Sequence, residues 1–219
     1  RKTSKKPSKV NPSSLNNFVV LPSPAQREQQ RKANLERKRK AQIKKTNLKK
    51  PNWREFKKIL DKHNITRLYH FTDKSNINSI KKHGYLYSWH ALEKKGIDIP
   101  NPGGDELSRK LDMKKGLEDY VRLSFTMNHP MLEATIYSGR ITNPINCVIP
   151  TKVIFYKDTL FSDINAAAND AQIGGKLADF KKIDFDVITK GYYSEDYEKK
   201  HIQAEVLVKT KILINENKN

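Results

Sequence analysis

The chain has 219 residues, and its 43 Lys and Arg against 24 Asp and Glu give a formal net charge of +19. Its one cysteine, Cys147, excludes an internal disulfide framework and a cysteine-based zinc site. No apolar run approaches the roughly 18 residues that span a bilayer. The composition therefore excludes a membrane-spanning or disulfide-rich secreted protein and favours a cytoplasmic protein that meets polyanions.

The positive charge is concentrated at the start of the chain. Residues 1–50 hold 16 basic and two acidic side chains, a net charge of +14, whereas residues 51–219 carry an ordinary balance. The mixture of Lys, Ser, Pro and Asn in residues 1–22 predicts disorder. A capping box at residues 23–26 then predicts a helix to about residue 45. We therefore expect a basic arm, partly disordered and partly helical, over residues 1–50, and one folded domain over residues 51–219.

Short elements of both kinds are predicted in the folded domain. Apolar spacing predicts a helix over residues 52–63, and Asp73 and Gly84 mark the ends of another. A Gly-, Pro- and charge-rich stretch, residues 91–118, predicts a loop insertion with at most one short helix. Strands are predicted at 66–71, 120–125, 146–148, 152–156 and 204–208, the last continuing to 213, with a short helix near 130–137. Without regular alternation of strand and helix, the fold class is α+β.

Several common site motifs are missing from the sequence. Gly174-Gly175-Lys176 has the wrong spacing for a phosphate loop, and the six histidines show no metal-ligand spacing. The acidic pairs at 184/186 and 195/196 fit solvated surfaces better than a metal site. We therefore expect chemistry that needs no metal ion.

Four sequence blocks are more specific. They are Leu-Tyr-His-Phe-Thr at residues 68–72 with the helix that follows to Gly84, residues 120–131, residues 161–167, and Gln-Ala-Glu-Val-Leu-Val at residues 203–208. In this order, over roughly residues 66–214, they resemble the DarT family of nucleic-acid ADP-ribosyltransferase toxins. The resemblance implies the ADP-ribosyltransferase fold, in which two small antiparallel-rich sheets flanked by short helices form a cleft for NAD.

The same resemblance implies a function. The chain would be an NAD-dependent mono-ADP-ribosyltransferase that modifies a nucleobase in single-stranded DNA or RNA, as the toxin of a toxin–antitoxin or phage-defence system. Its partners would be the nucleic acid and an antitoxin, either a macrodomain hydrolase or a chaperone-bound protein. Two alternatives stay open: an ADP-ribosyltransferase that acts on protein, and a non-enzymatic nucleic-acid-binding protein, for which the basic arm is sufficient.

Glu205 is the predicted catalytic carboxylate. It is a lone acid in an apolar strand, so it either faces outward or lines a cleft. Breaking the bond between ribose and nicotinamide passes through an oxocarbenium-like state, which needs a carboxylate near the ribose that can also receive a proton. Gln203 reproduces the Gln-x-Glu arrangement of ADP-ribosyltransferases, and the strand period of two would place both side chains on one face, with Gln203 able to contact the acceptor.

Arg122 is the second predicted catalytic residue. The resemblance implies an arginine that binds the NAD phosphates and polarises the bond that breaks. Some family members place that arginine six residues later, where this chain has Asn128, so the role falls to Arg122 from a neighbouring position or Arg122 is structural. His129 is a predicted substrate-binding residue of the cleft, with a structural role as the alternative.

The predicted NAD site centres on His70. The resemblance implies that its ring N–H binds the NAD ribose while its backbone binds the nicotinamide amide; the alternative is a buried core histidine. Phe71, Thr72 and Ser124 complete the predicted site. Asn76 would lie over the same pocket, at a helix start whose free N–H groups suit the pyrophosphate.

The predicted nucleic-acid contacts lie in two segments. Asn165 and Asn169 flank small residues in a segment that borders the cleft in the family, although an N-capped short helix explains the same pattern. A substrate-recognition loop is expected at residues 189–203. Its Tyr192 and Tyr193 could stack on extruded bases, each contact contributing about 1–3 kcal/mol, or they could be ordinary packing residues.

Overall fold

The computed structural model describes residues 23–214, and its contacts divide the chain after Asn47. The predicted disorder of residues 1–22 lies outside the described residues. The described part of the first unit is helix α1 (Pro24–Asn47). It begins as predicted, because Gln26 N donates to Ser23 Oγ while Ser23 N donates to Gln26 Oε1.

The second unit holds the remaining elements. Its helices are α2 (Trp53–Lys62), α3 (Ile77–His83), α4 (Trp89–Lys95), α5 (Glu106–Lys115), α6 (Pro130–Tyr137), α7 (Leu177–Phe180), α8 (Phe185–Lys190) and α9 (Asp196–His201). Its strands are β1 (Arg67–Asp73), β2 (Tyr85–Tyr87), β3 (Tyr120–Ser124), β4 (Pro144–Pro150), β5 (Leu160–Ser162), β6 (Ile173–Gly174), β7 (Glu205–Lys209) and β8 (Lys211–Leu213). Short 3-10 helices cover Lys74–Asn76 and Thr151–Phe155.

The strands form two antiparallel sheets. The larger has six strands in the order β4-β1-β3-β7-β5-β6, and the smaller pairs β2 with β8. Non-consecutive strands are neighbours in the middle of the large sheet, so residues far apart in the sequence lie side by side there. The α+β prediction is confirmed.

Helix α2 packs against the large sheet at β5 through its apolar side chains. Phe56 of α2 is fully buried, and its ring centroid lies 5.5 Å from that of Phe161 and 5.2 Å from that of Phe180. Aromatic pairs at such distances contribute about 0.5–1.5 kcal/mol beyond the area that they bury. This cluster fixes β5, and β5 in turn pairs with β7, the strand that carries Glu205.

The end of β1 is fixed by Asp73. Its carboxylate accepts hydrogen bonds from Ser75 N, Thr142 N and Asn143 N, which join the start of the next helix to the segment before β4. These bonds, that from Ser75 N first, hold the pKa of Asp73 well below its ordinary value. The helix α3 then ends at Gly84, whose φ of 68° requires the left-handed conformation that glycine adopts without strain.

Two predicted elements differ from the structure. Residues 152–156, predicted as a strand, lie mostly in the 3-10 helix, and Val153, Ile154 and Phe155 are all buried in succession, which a strand with one exposed face does not allow. The predicted loop insertion, residues 91–118, holds most of α4 and all of α5. Ser88 and Asp105 cap these helices through their side chains, a signal that the high local charge obscured.

Candidate active site

A row of polar residues crosses the centre of the large sheet. Strand register aligns Tyr69 with Ser124, Ser124 with Glu205, and Glu205 with Ser162. Aligned residues of antiparallel strands point to one face. On that face a cavity of about 630 Å³ opens, and it is lined by Tyr69, Ser124 and Glu205 together with residues from α3, α4 and α5.

The two predicted catalytic residues meet in this cavity. Arg122 Nη1 donates to Glu205 Oε2 at 2.6 Å, and the backbone N–H of Ala166 donates to the same oxygen at 2.8 Å. Glu205 is only 6% exposed. Among the residues that the structure describes, no hydrogen bond to its other oxygen, Oε1, is found. Glu205 therefore lines a cleft and does not face outward.

Asp112 is a member of this site that sequence reasoning missed. It lies on α5, it is buried, and its Oδ1 accepts a hydrogen bond from Arg122 Nη2. Burial lowers the pKa of Arg122, but the carboxylates of Glu205 and Asp112 outweigh burial and raise it. Arg122 is therefore a permanent cation between two carboxylates. The sequence around Asp112, in a stretch predicted as a loop, gave no sign of its contact with Arg122.

His70 lies next to the site at a position where β1 and β3 are not paired. β1 and β3 pair at a single register position, and beyond it His70 Nδ1 lies 3.0 Å from the backbone oxygen of Arg122. Burial lowers the pKa of His70, although this hydrogen bond opposes the shift. A carbonyl can only accept, so Nδ1 carries the proton and the neutral ring presents Nε2 as an acceptor. The ring N–H that we expected to be free for a ligand is therefore bound to Arg122 O, and the other ring nitrogen, Nε2, can only accept.

The other predicted NAD residues lie around His70. Phe71, Thr72, Asn76 and Ser124 all line the cavity. The amide of Asn76 is occupied, because its Nδ2 donates to Thr72 Oγ1 and to Asn101 O while its Oδ1 accepts from Asn101 N. Asn76 thus holds the 97–105 segment as a wall of the cavity and does not offer a free side-chain donor.

His129 and Asn128 occupy different environments. His129 is buried and lines the cavity, and its Nδ1 accepts from Met131 N, so it also caps α6. Burial lowers its pKa, an effect that the charge of Glu205 opposes. Asn128 is exposed and does not line this cavity. Of the two positions considered for the family arginine, only Arg122 lies in the cavity.

A second cavity, of about 490 Å³, adjoins the first. Asn165 lines both cavities, whereas Gln203 lines the second. Asn165 Nδ2 donates to Gln203 Oε1 at 3.3 Å. Gln203 itself precedes β7, which begins at Glu205, so the expected sharing of a strand face does not apply. Asn169 is exposed and lines neither cavity.

The two tyrosines of the predicted recognition loop do not line these cavities. Tyr192 is 62% exposed, with Lys190 Nζ lying 4.5 Å from its ring centroid. Tyr193 donates its hydroxyl to Glu133 Oε2 of α6, which raises the pKa of Tyr193. Tyr192 thus presents its ring to solvent, while Tyr193 ties the loop to α6.

Among the residues whose side chains the structure describes, no group of three or more His, Cys, Asp or Glu could hold a metal ion. Across the same residues, none of the helices has the length and apolar character needed to cross a membrane.

Comparison with known proteins identifies the family. A family model described as "ssDNA thymidine ADP-ribosyltransferase, DarT" matches residues 69–215. The chain belongs to the DarT family. ADP-ribosyl transfer to single-stranded nucleic acid, with NAD as co-substrate, is therefore the reaction of this family, and the predictions of family, enzyme class and co-substrate are confirmed. No curated protein matches the chain.

Solved DarT structures share the fold. Thermus sp. 2.9 DarT in complex with ADP-ribosylated ssDNA is 20% identical, with a TM-score of 0.56 over 68% of this chain and 78% of that one. The same protein in complex with NAD+ is 21% identical, with a TM-score of 0.50 over 68% and 77%. Thermosipho africanus DarTG in complex with ADP-ribose is 24% identical, with a TM-score of 0.57 over 67% of this chain and 41% of that one. The predicted ADP-ribosyltransferase fold is confirmed.

Proposed function

We propose that this chain transfers ADP-ribose from NAD to thymidine in single-stranded DNA, with Glu205 and Arg122 at the reacting centre. One observation carries the proposal: a buried carboxylate whose Oε2 is bound by Arg122 and by Ala166 N, while Oε1 has no partner in the part of the chain that the structure describes. A carboxylate held in this way can stabilise positive charge on a ribose and accept a proton without reorganising.

Each reacting residue has a defined task in this proposal. NAD supplies the ADP-ribosyl group, and its bond to nicotinamide breaks with the electron pair leaving on the nicotinamide nitrogen. Glu205 stabilises the charge that develops on the ribose. The ring nitrogen of thymine that bears hydrogen attacks the freed carbon and passes its proton to Oε1. Arg122 holds the carboxylate and remains charged throughout, because its pKa is raised.

The NAD is held by the cavity that His70 lines. His70 Nε2 accepts from a ribose hydroxyl, Phe71 and Thr72 contact the nicotinamide half, and Ser124 closes the floor beside Glu205. Asn76 acts through Asn101, by fixing the wall. The volume of about 630 Å³ lies within the range of roughly 300–1,000 Å³ that is common for ligand pockets.

The acceptor nucleotide occupies the second cavity. Gln203 and Asn165 carry amide groups that can bind the edge of a base. Lys200 and Arg140 line the same cavity and are paired there with Asp170 and Asp105. His129 lines the first cavity together with Glu205. Asn169 and Tyr192 are exposed and would contact the strand beyond the modified base, with Tyr193 supporting the loop.

The biological role follows from the reaction. An enzyme that modifies the bases of single-stranded DNA blocks templates, so we assign it the role of toxin in a toxin–antitoxin or phage-defence system, acting in the cytoplasm. Its antitoxin would be a macrodomain hydrolase that removes the ADP-ribosyl group or a chaperone-bound protein that covers the cleft. The name DarTG of the Thermosipho structure fits such a pairing.

Mass spectrometry tests the proposal directly. The protein is incubated with NAD and with oligodeoxynucleotides that contain a single thymidine, a single guanosine or neither, together with the matching RNA. We expect the mass increase of one ADP-ribosyl group on the thymidine oligodeoxynucleotide alone, formed at least a hundredfold more slowly by Glu205→Gln. Modification of another base would change the assigned acceptor, and modification of added protein without any nucleic acid would overturn the proposal.

A further inference from the structure

The helix α5 contacts both groups that hold the Glu205 carboxylate. Those groups are Arg122 Nη1, 2.6 Å from Oε2, and Ala166 N, 2.8 Å from the same oxygen. They come from β3 and from the loop after β5, two segments that α5 bridges through two side chains, Asp112 and Lys115.

Asp112 fixes the first group. Its Oδ1 accepts from Arg122 Nη2, and its Oδ2 accepts from Trp89 Nε1 at 3.2 Å. The guanidinium is therefore bound at two nitrogens by two carboxylates, which determines the orientation of its plane as well as its position. Because Trp89 occupies the second oxygen, Asp112 itself has a fixed orientation.

Lys115 fixes the second group. It lies three residues after Asp112 and thus on the same side of α5. Its Nζ donates to the carbonyl oxygens of Ala166, at 2.8 Å, and of Ala168. These two bonds hold the turn that aims the N–H of Ala166 at Glu205.

We propose that Asp112 and Lys115 are positioning residues, through which α5 sets the orientation of the Glu205 carboxylate and turns Oε1 toward the substrate. This inference rests on the assignment of Glu205 as the catalytic carboxylate. Neither residue needs to touch NAD or the base. Each determines one of the two hydrogen bonds to Oε2, and a preorganised carboxylate stabilises charge more strongly than one that must reorient.

Two substitutions and two matched controls test this role. Asp112→Asn removes the charge that anchors Arg122 while keeping a similar shape, and Lys115→Met removes both bonds to the loop. Glu106→Gln and Lys114→Met, at exposed positions of the same helix, are the controls. We expect kcat to fall about tenfold to a hundredfold for the first pair, as for small displacements of a catalytic group. The NAD dissociation constant, measured by calorimetry, and the controls should stay unchanged.

Two further measurements separate positioning from general damage. Lys115→Arg keeps donors for both carbonyls, so it should recover most of the kcat that Lys115→Met loses. In a Glu205→Gln background, Asp112→Asn and Lys115→Met should cause no further loss, because the carboxylate through which they act is absent. A further loss in that background, or failure of Lys115→Arg to recover activity, would overturn the inference. If Asp112→Asn fails to fold, the comparison of Lys115→Met with Lys115→Arg still tests the inference.

The inference and the proposed function fail in different ways. If Glu205→Gln is inactive while Asp112→Asn and Lys115→Met keep full kcat, only the positioning role is overturned. If Glu205→Gln itself keeps full activity, the assignment of the catalytic carboxylate is wrong and the inference falls with it.

Discussion

Arg122 and Glu205 are 83 residues apart in the sequence, yet Nη1 of the arginine lies 2.6 Å from Oε2 of the glutamate. The register of β3 and β7 explains the contact, because Glu205 pairs with Ser124 and Leu207 pairs with Arg122. The two charged side chains are thus diagonal neighbours on one face of the sheet. A buried ion pair of this kind contributes little net stability and is costly to break, which favours a functional reason for its presence.

Replacing Glu205 tests whether this ion pair has a catalytic role. Glu205→Gln keeps the size of the side chain and an oxygen that can accept from Arg122, but it removes the negative charge. We expect transfer to fall by a hundredfold or more, about 2.7–4 kcal/mol of barrier. Single-turnover rates measure the loss, with Glu55→Gln, at an exposed position of α2, as the control. Transfer near the wild-type rate would remove Glu205 from the mechanism.

Arg122 provides the second prediction. Arg122→Lys keeps the charge, but one ammonium cannot reproduce the planar fork that binds both Asp112 and Glu205. We expect kcat to fall by about a hundredfold, as for the loss of one charge-stabilising donor. Adding Asn128→Arg to this variant should restore nothing, because residue 128 is exposed and lies outside the cavity. Recovery of activity in the double variant would assign the arginine role to position 128.

Site features that depend on local patterns, such as the residues of a strand or the ends of a helix, could be predicted from the sequence. Glu205 stands out because a lone acid in an apolar strand needs an explanation, and the helix over residues 130–137 is bounded by its own sequence signals. Asp112 could not be found in this way. It lies in a charged segment and looks like any solvated acid, and it becomes a site residue only because α5 packs beside β3.

The start of β7 is not fixed by the local sequence pattern alone. The period of two assigned Gln203 to the face of Glu205, but β7 begins at Glu205, so that period does not extend to residue 203. The structure brings Gln203 to the site by a different route, through Asn165 Nδ2 at 3.3 Å from its Oε1. Pattern alone cannot place the first residue of a strand, because its ends depend on the neighbouring strands.

The two buried histidines, His70 and His129, should make the free energy of unfolding depend on pH. Burial lowers the pKa values of His70 and His129 in the native protein, whereas an unfolded histidine has a pKa of about 6.5. At pH values between the native and the unfolded pKa, the unfolded chain binds more protons than the native protein. The free energy of unfolding therefore decreases as the pH falls below about 6.5. Above that pH the two histidines are neutral in both states and cause no loss of stability. Urea unfolding at several pH values should show this slope. His70→Gln and His129→Gln should each reduce it, and an unchanged slope would contradict the prediction.

Lys50 does not line the candidate active site, and we expect it to stabilise the fold. This buried lysine donates to the backbone oxygens of Lys157, Thr159 and Gly175. Lys50→Met would leave the carbonyls without these partners, so we expect the free energy of unfolding to fall by about 3 kcal/mol or more. Lys57→Met, on the exposed face of α2, should change it by less than about 1 kcal/mol. Denaturant unfolding compares the two, and equal effects would show that Lys50 contributes no more than a surface lysine.

The basic arm gives the last prediction. Because Lys50 is anchored in the second unit, a truncation that tests the arm should end at residue 47 and not at residue 50 as the sequence boundary suggests. If the arm binds phosphates, the wild-type affinity for single strands should fall steeply with salt, with a log–log slope near −0.7 for each neutralised phosphate. Deleting residues 1–47 should weaken binding and flatten the slope. Transfer at saturating oligonucleotide should survive, because every residue assigned to the reaction lies beyond residue 47. Unchanged affinity and slope would instead assign the arm to an acidic protein partner such as an antitoxin.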